Sequence, residues 1–363
     1  MAGRTRGGAL WRAGAVLLSM TLMPGCGGAD KPLPPPTAEL VPLASPLVSP
    51  FVAVQGSVVS DGVPPVVSLT AGALPDGITL DGNGTLQGMP TVVGQWRRFT
   101  VQAKSKDGVP LGTESYLLAV KVPDTTLARA PAVSQNEDVL SLSGGWGTTI
   151  DTAWAYDPQW NLLWPLEAGT QVSGEALASS GGALVLYVAG AAGHGAFDVV
   201  AKPSDPRIGV IAELTWSGDA DLDLRLLVGP KLGGAEVNAR TPTFVADGAW
   251  QAKLELSSAS NQGAEAVVLA DSAPRGRYAI VAARAGGSDI EVPAWLSLRK
   301  RDGTVLAERR FDLILSDLAS DSIAQDVAGG KQSFSCLGLL TVGADGEVSY
   351  SAAPPSTDPF AAP

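Results

Sequence analysis

Glycine and proline interrupt this chain so often that only short regular elements fit between them. The 363 residues include 43 glycines and 27 prolines, which favour tight turns and end helices. Between the turns, apolar and polar residues alternate with a period of two, as in a half-buried strand. The clearest examples are Phe99, Val101 and Ala103, followed by Tyr116, Leu118, Val120 and Val122. This pattern predicts an all-β fold of two or three tandem β-sandwich domains and excludes a helical bundle.

The net charge and the small numbers of histidine and cysteine argue against several classes of function. Lys and Arg number 25 against 36 Asp and Glu, a net charge of -11 that opposes binding to nucleic acid. One histidine and two cysteines leave little for a Ser/His/Asp triad, a Cys/His dyad or a His-ligated zinc site. Paired carboxylates of a hydrolase are not excluded by count, but no stretch resembles a catalytic domain. We therefore predict no catalytic residues and no enzyme activity.

The N-terminus has the pattern of a targeting segment. A positively charged start precedes the apolar run Ala13 to Met23, which is too short to span a bilayer, and this predicts a signal peptide at residues 1–25. The end of the run, Met23-Pro24-Gly25-Cys26, resembles the bacterial lipobox, which implies lipidation of Cys26. An ordinary secretory signal with an incidental cysteine is the alternative. Gly27 after the cysteine resembles the sorting pattern of lipoproteins anchored in the outer membrane, on a face that the sequence leaves undetermined.

Two further segments are rich in proline. Residues 26–50 hold the lipidated cysteine and a run of prolines typical of an extended linker, which would separate folded domains from the membrane. Residues 351–363 (SAAPPSTDPFAAP) are predicted to be a disordered tail.

The first strand-rich block, predicted as a domain at residues 51–123, resembles a known family. Its motif resembles the Ig-like, cadherin-like repeats of bacterial surface proteins, over about residues 45–123. The matching positions are Leu74, Pro75, Gly77, Leu80, Gly84, Thr85, Gly88, Pro90 and Thr91. The resemblance implies a sandwich used as a spacer or adhesive module.

The second block, residues 130–203, is rich in tryptophan. Trp146, Trp154, Trp160 and Trp164 lie close together in the sequence, beside Tyr156. Exposed indoles at this density could stack on sugars and form a ligand-binding site. Alternatively, they fill a small β core, because a buried tryptophan removes a large apolar area from water.

The third block, residues 208–350, contains an acidic pattern. Leu222 and its alternate neighbours face inward, so Asp219, Asp221 and Asp223 share the opposite face of one strand. Three carboxylates at this spacing repel one another unless a hard cation neutralises them, which makes calcium a candidate ligand. A solvated strand edge that discourages aggregation is the alternative.

The third block also resembles known secreted domains. The segment LTWSGDADLDLRL, with APRGRYAIVA later, resembles the pre-peptidase C-terminal family and the related YfaP-like domains, over about residues 208–315. The resemblance implies a jelly-roll-like sandwich that binds calcium, matrix or polysaccharide. If Cys26 is acylated, Cys336 has no intrachain partner, and we expect it to be buried as a small hydrophobe rather than to act as a redox thiol.

These patterns together predict Ig-like plus jelly-roll-like β-sandwich domains behind a lipoprotein signal peptide and a Pro-rich tether. We expect a non-catalytic envelope lipoprotein that presents its modules for adhesion, matrix or polysaccharide binding. The alternatives are a structural subunit of a periplasmic or outer-membrane protein complex, and an accessory part of a secreted hydrolase system. The expected partners are the membrane, through the lipid, and a polysaccharide or protein, but not nucleic acid.

Overall fold

The computed structural model describes most of the chain after residue 37. The described residues are 38–63, 65–136, 138–178, 182–203, 205–229, 234–256, 263–288, 291–315, 323, 334–352 and 360. The predicted signal peptide, Cys26 and the first part of the linker lie outside them. The described residues form strands in six sheets, so the predicted all-β class is confirmed. Within them, no helix is long and apolar enough to cross a membrane.

The first module, residues 38–122, is a two-sheet sandwich. Its strands are β1 (Leu47–Val48), β2 (Val54–Ser57), β3 (Val66–Gly72), β4 (Ile78–Leu80), β5 (Thr85–Gly88), β6 (Trp96–Lys104) and β7 (Pro110–Val120). One sheet has the order β1-β7-β6-β3, and the other has β2-β5-β4. The alternating residues Phe99, Val101, Tyr116 and Leu118 are buried between the sheets, as their period of two predicts.

The first module begins earlier than the sequence indicated. Ala38 is buried, and Leu40 forms an isolated bridge with Val59. Strand β1 then pairs in parallel with the end of β7. The prediction of an extended linker up to residue 50 is therefore wrong for residues 38–50, because apolar residues between the prolines pack onto the sandwich.

The second module, residues 132–200, is a smaller sandwich. Its strands are β8 (Ala132–Asn136), β9 (Val139–Gly144), β10 (Thr152–Asp157), β11 (Leu162–Pro165), β12 (Val172–Leu177), β13 (Ala183–Gly190) and β14 (Gly193–Val200). The sheets have the orders β11-β10-β13-β14 and β12-β9-β8.

The third module, residues 208–351, is a larger sandwich of two sheets. Its strands are β15 (Ile208–Trp216), β16 (Ala220–Val228), β17 (Glu236–Val237), β18 (Thr243–Ala246), β19 (Ala249–Leu256), β20 (Ala264–Ala270), β21 (Gly276–Gly287), β22 (Glu291–Lys300), β23 (Val305–Ile314), β24 (Phe334–Val342) and β25 (Val348–Ser351). The sheets have the orders β18-β19-β20-β15-β22-β23 and β17-β16-β21-β24-β25. In the predicted tail, the described Phe360 lies against Arg277, whose guanidinium donates to the Phe360 carbonyl.

The three modules form one compact unit, because apolar side chains fill two of the seams between them. At the seam between the first and second modules, Leu117 and Ala119 pack with Trp154, Leu163 and Tyr187. The core of the second module is completed by residues of the third module, namely Ile208, Ile211, Leu256, Ala266 and Val268. The modules are therefore fused rather than strung along linkers.

Candidate functional site

The seam between the first and third modules is polar, unlike the other two. Glu114 of β7 pairs with Arg309 of β23 at 3.0 Å, and the backbone N–H of Arg310 donates to Ser115 Oγ at 3.0 Å. A cavity of about 330 Å³ lies along this seam, with Glu114 and Asn161 in its wall. Polar seams of this kind hold modules together less firmly than apolar ones.

Arg98 lies at the centre of this polar seam. It projects from β6, and its guanidinium carbon lies 5.5 Å from the ring centre of Trp96 and 5.0 Å from that of Trp295. Both distances fall within the range of cation–π attraction. Burial lowers the pKa of Arg98, an effect that the nearby Glu213 carboxylate opposes. The enclosed Nε and Nη2 atoms have no hydrogen-bond acceptor among the described residues.

Strand β15 supplies the opposite wall of the seam. Glu213 and Thr215 lie two residues apart and therefore on the same face of the strand, and both are buried. Desolvation raises the pKa of Glu213 to about 8, although Arg98 acts in the other direction. The Thr215 hydroxyl is enclosed without a partner in the described part of the chain, whereas the enclosed Glu213 carboxyl lies beside the Ser297 hydroxyl, which also donates to Glu308. Such groups are costly to bury unless water or a ligand satisfies them.

The neighbouring charges of the seam are paired with each other. Arg299 Nη2 donates to Glu308 Oε2 at 2.6 Å, and Ser297 Oγ donates to Glu308 Oε1 at 2.9 Å. Within this seam, the enclosed polar atoms that lack a partner in the described residues are therefore those of Arg98 and Thr215.

A cleft of about 820 Å³ opens at this seam, and we call it the junction cleft. All three modules contribute to its walls. Its lining includes Trp96, Arg97, Arg98, Asp151, Thr152, Leu166, Glu167, Ser173, Glu175, Thr215, Trp216, Ser217 and Trp295. The volume is in the range of sites that hold small organic ligands.

The cleft combines two kinds of contact. Trp96 and Trp295 are half-buried, so they offer apolar ring surface beside the Arg98 guanidinium. Asp151, Glu167 and Glu175 are exposed carboxylates that can accept hydrogen bonds. This arrangement suits a ligand with one apolar face and many hydroxyl groups.

The tryptophans singled out in the sequence lie elsewhere. Trp154, Trp160 and Trp164 are almost completely buried in the seam and core of the second module, and Trp146 packs half-buried against Phe197. The burial of Trp154, Trp160 and Trp164 rules out a stacking surface at these three rings, so the core alternative applies to them, and ligand binding at Trp146 stays a prediction. Sequence reasoning missed Trp96 and Trp295 because they are far apart in the chain and meet only across the seam.

The acidic face of β16 is partly occupied by internal contacts. Asp223 pairs with Arg225 at 2.7 Å, and Asp219 accepts a hydrogen bond from Ser288 Oγ at 2.5 Å. Burial and the neighbouring Asp223 raise the pKa of Asp221. No group of three or more His, Cys, Asp or Glu side chains in the described residues is arranged to hold a metal ion. Calcium at Asp219, Asp221 and Asp223 stays a prediction.

Comparison with known proteins bears chiefly on the first module. No curated protein matches the chain. Among solved structures, the chain is similar to SGBP-B of the Bacteroides ovatus mixed-linkage glucan utilization locus, in complex with a mixed-linkage heptasaccharide. The two are 12% identical over 67% of this chain and 76% of that one, but the TM-score of 0.14 supports no inference from that protein. Residues 35–122 match the family described as Putative Ig domain, which confirms the Ig-like prediction for the first module.

Proposed function

We propose that this protein is a non-catalytic envelope lipoprotein that binds a polysaccharide in the junction cleft. The observation that supports the proposal is the pair of half-buried tryptophans, Trp96 and Trp295, both within cation–π distance of Arg98 in a cleft whose walls include exposed carboxylates. The apolar C–H face of a sugar ring can stack on an indole, whose face is electron-rich. Its hydroxyl groups can both donate to carboxylates and accept from guanidinium groups.

The envelope location in this proposal depends on Cys26. A lipidated cysteine carries more than one acyl chain, which is enough for stable anchoring. We expect Cys26→Ser to shift the protein from the membrane fraction to the soluble fraction after cell lysis. Retention in the membrane fraction would argue against lipidation.

The cleft is tested by removing its aromatic rings. We expect Trp96→Ala and Trp295→Ala each to weaken polysaccharide binding at least about tenfold, as is common for aromatic residues at the centre of a binding site. The measurement is electrophoretic retardation in gels that contain a panel of neutral and acidic polysaccharides.

A matched control is available in Trp250. This half-buried indole also lies under an arginine, with the Arg207 guanidinium carbon 4.9 Å from its ring centre, but it does not line the cleft. Trp250→Ala should leave the retardation unchanged. An equal loss of retardation in all three variants would point to general destabilisation. If no polysaccharide retards the wild-type protein, the proposed function is refuted.

One observation favours a structural subunit of an envelope complex as a second candidate. Phe51, Val52, Met89 and Val92 are exposed apolar residues, and the Phe51 N–H donates to the Pro90 carbonyl at 2.9 Å, which brings their two loops together. Exposed apolar groups in one region are typical of protein contacts. Cross-linking in intact cells through a photoreactive residue at position 52 tests this candidate: a specific protein adduct would support it, and no adduct would weaken it.

A further inference from the structure

The inner end of the junction cleft has a polar character of its own. Arg98 and Thr215 both line the cleft, and both carry enclosed polar atoms without a partner in the described residues. The fold places donors from Arg98 and a hydroxyl from Thr215 in the wall of the same cleft. A ligand with oxygen atoms could satisfy these groups, whereas an apolar ligand would leave them unpaired.

The charges around this position favour a neutral ligand. The Arg98 guanidinium already lies near the carboxyl groups of Glu213 and Glu308. Asp151, Glu167 and Glu175 add three carboxylates to the cleft walls, against the two positive charges of Arg97 and Arg98. A carboxylate or sulfate on the ligand would face these acidic groups, and like charges brought together at an interface lower affinity.

We infer that Arg98 and Thr215 select a neutral, hydroxyl-bearing glycan over an acidic one. Arg98 donates to the hydroxyl oxygens of the sugar, and Thr215 exchanges a hydrogen bond with a neighbouring hydroxyl. Glu213 acts as a positioning residue, since its buried carboxyl lies beside Arg98 without lining the cleft. This inference rests on the proposed function and adds the class of glycan that the cleft takes.

Access to the enclosed atoms requires the seam to widen. The seam between the first and third modules is held by polar contacts, namely the Glu114–Arg309 pair, the contact of Arg310 with Ser115 and the cation–π contact of Arg98 with Trp295, while both seams of the second module are apolar. Exposed or half-exposed ion pairs add little stability, so this seam is the one that separates most readily. Ligand hydroxyl groups that enter there would supply the hydrogen bonds that Arg98 and Thr215 lack in the closed seam.

The experiment measures the affinity of the purified protein for neutral and acidic polysaccharides. The probes are xylan, galactomannan and dextran as neutral chains, and alginate and polygalacturonate as acidic chains. We expect retention by a neutral chain and none by the acidic chains. We also expect the affinity to change little between about 0.05 and 0.5 M NaCl, because no ligand charge is screened.

Two sets of variants test the named residues. Thr215→Val should weaken binding about fivefold while Thr215→Ser retains it, because only the hydroxyl forms the hydrogen bond. The double variant Arg98→Gln with Glu213→Gln removes both buried ionisable groups together and should weaken binding at least about tenfold. Melting curves of each variant show whether the fold is retained.

The outcomes separate the two proposals. Binding that prefers acidic chains and weakens with salt would overturn this inference while leaving the proposed function in place. Binding to neutral chains that is unchanged in Thr215→Val and in the folded double variant would also overturn it. Failure of every polysaccharide to bind would refute the proposed function itself.

Discussion

At the scale of single residues, one contact shows how the modules are fitted together. The buried indole N–H of Trp154 donates to the carbonyl of Gly94 across the seam between the first and second modules, at 2.9 Å. Gly94 has a φ of +73°, and a Cβ at this position would lie 2.7 Å from the Cβ of Ala189. Both the backbone conformation and the space therefore require glycine.

We expect Gly94→Ala to destabilise the protein. Gly108 provides the control, since its φ is +82° but nothing lies within 4 Å of an added Cβ. Gly108→Ala should cost about 1 kcal/mol, from the left-handed backbone alone. Gly94→Ala should cost about 1–3 kcal/mol more, because overpacking adds to that penalty. Urea denaturation of both variants gives the difference, and equal losses would show that the seam tolerates the methyl group.

The residue scale is also where the sequence was least informative. The sequence does not distinguish a tryptophan in a core from one in a seam or a cleft, because its neighbours along the chain do not indicate its environment in the fold. Trp154, Trp160 and Trp164 are close together in sequence and are buried. Trp96 and Trp295 are far apart in sequence, and both approach Arg98 only after folding. Burial raises the pKa of Cys336 to about 11, so this thiol stays protonated at neutral pH.

At the scale of elements, strand β15 best shows what periodicity can and cannot predict. The residues that alternate along one face of this strand, Val210, Ala212, Leu214 and Trp216, lie in the core of the third module. The alternate residues are buried as well, because the other two modules cover that face. An alternating pattern predicts one core face, but it does not reveal that another module will cover the second face, and this is where Glu213 lies.

The burial of Glu213 predicts a specific pH dependence. Its pKa is raised to about 8 in the folded protein, so the folded state holds a proton that the unfolded state, near 4.5, releases. The stability should therefore fall as the pH rises from about 5 to 8. Glu213→Gln cannot titrate, so its melting temperature relative to wild type should rise across that interval. If the melting temperatures of the two proteins instead change with pH in the same way, the Glu213 carboxyl has an ordinary pKa in the folded protein.

At the scale of the whole molecule, the sequence predicted the fold class and the type of the first module but not the assembly of the three modules. The all-β class and the Ig-like first module followed from turn residues and a specific motif, and both are confirmed. The fusion of the modules was not predicted, because it depends on outer faces that carry no motif. The junction cleft exists only in that assembly, since each of its walls comes from a different module.

The shared core of the second module also has a consequence for the order in which the modules can fold. The first module encloses its own core, so it needs no residue beyond 122 to fold. The second module completes its core only with Leu256, Ala266 and Val268, which lie far beyond its own last strand in the sequence. Before those residues are in place its apolar surface is uncovered, and exposed apolar surface of this kind favours aggregation.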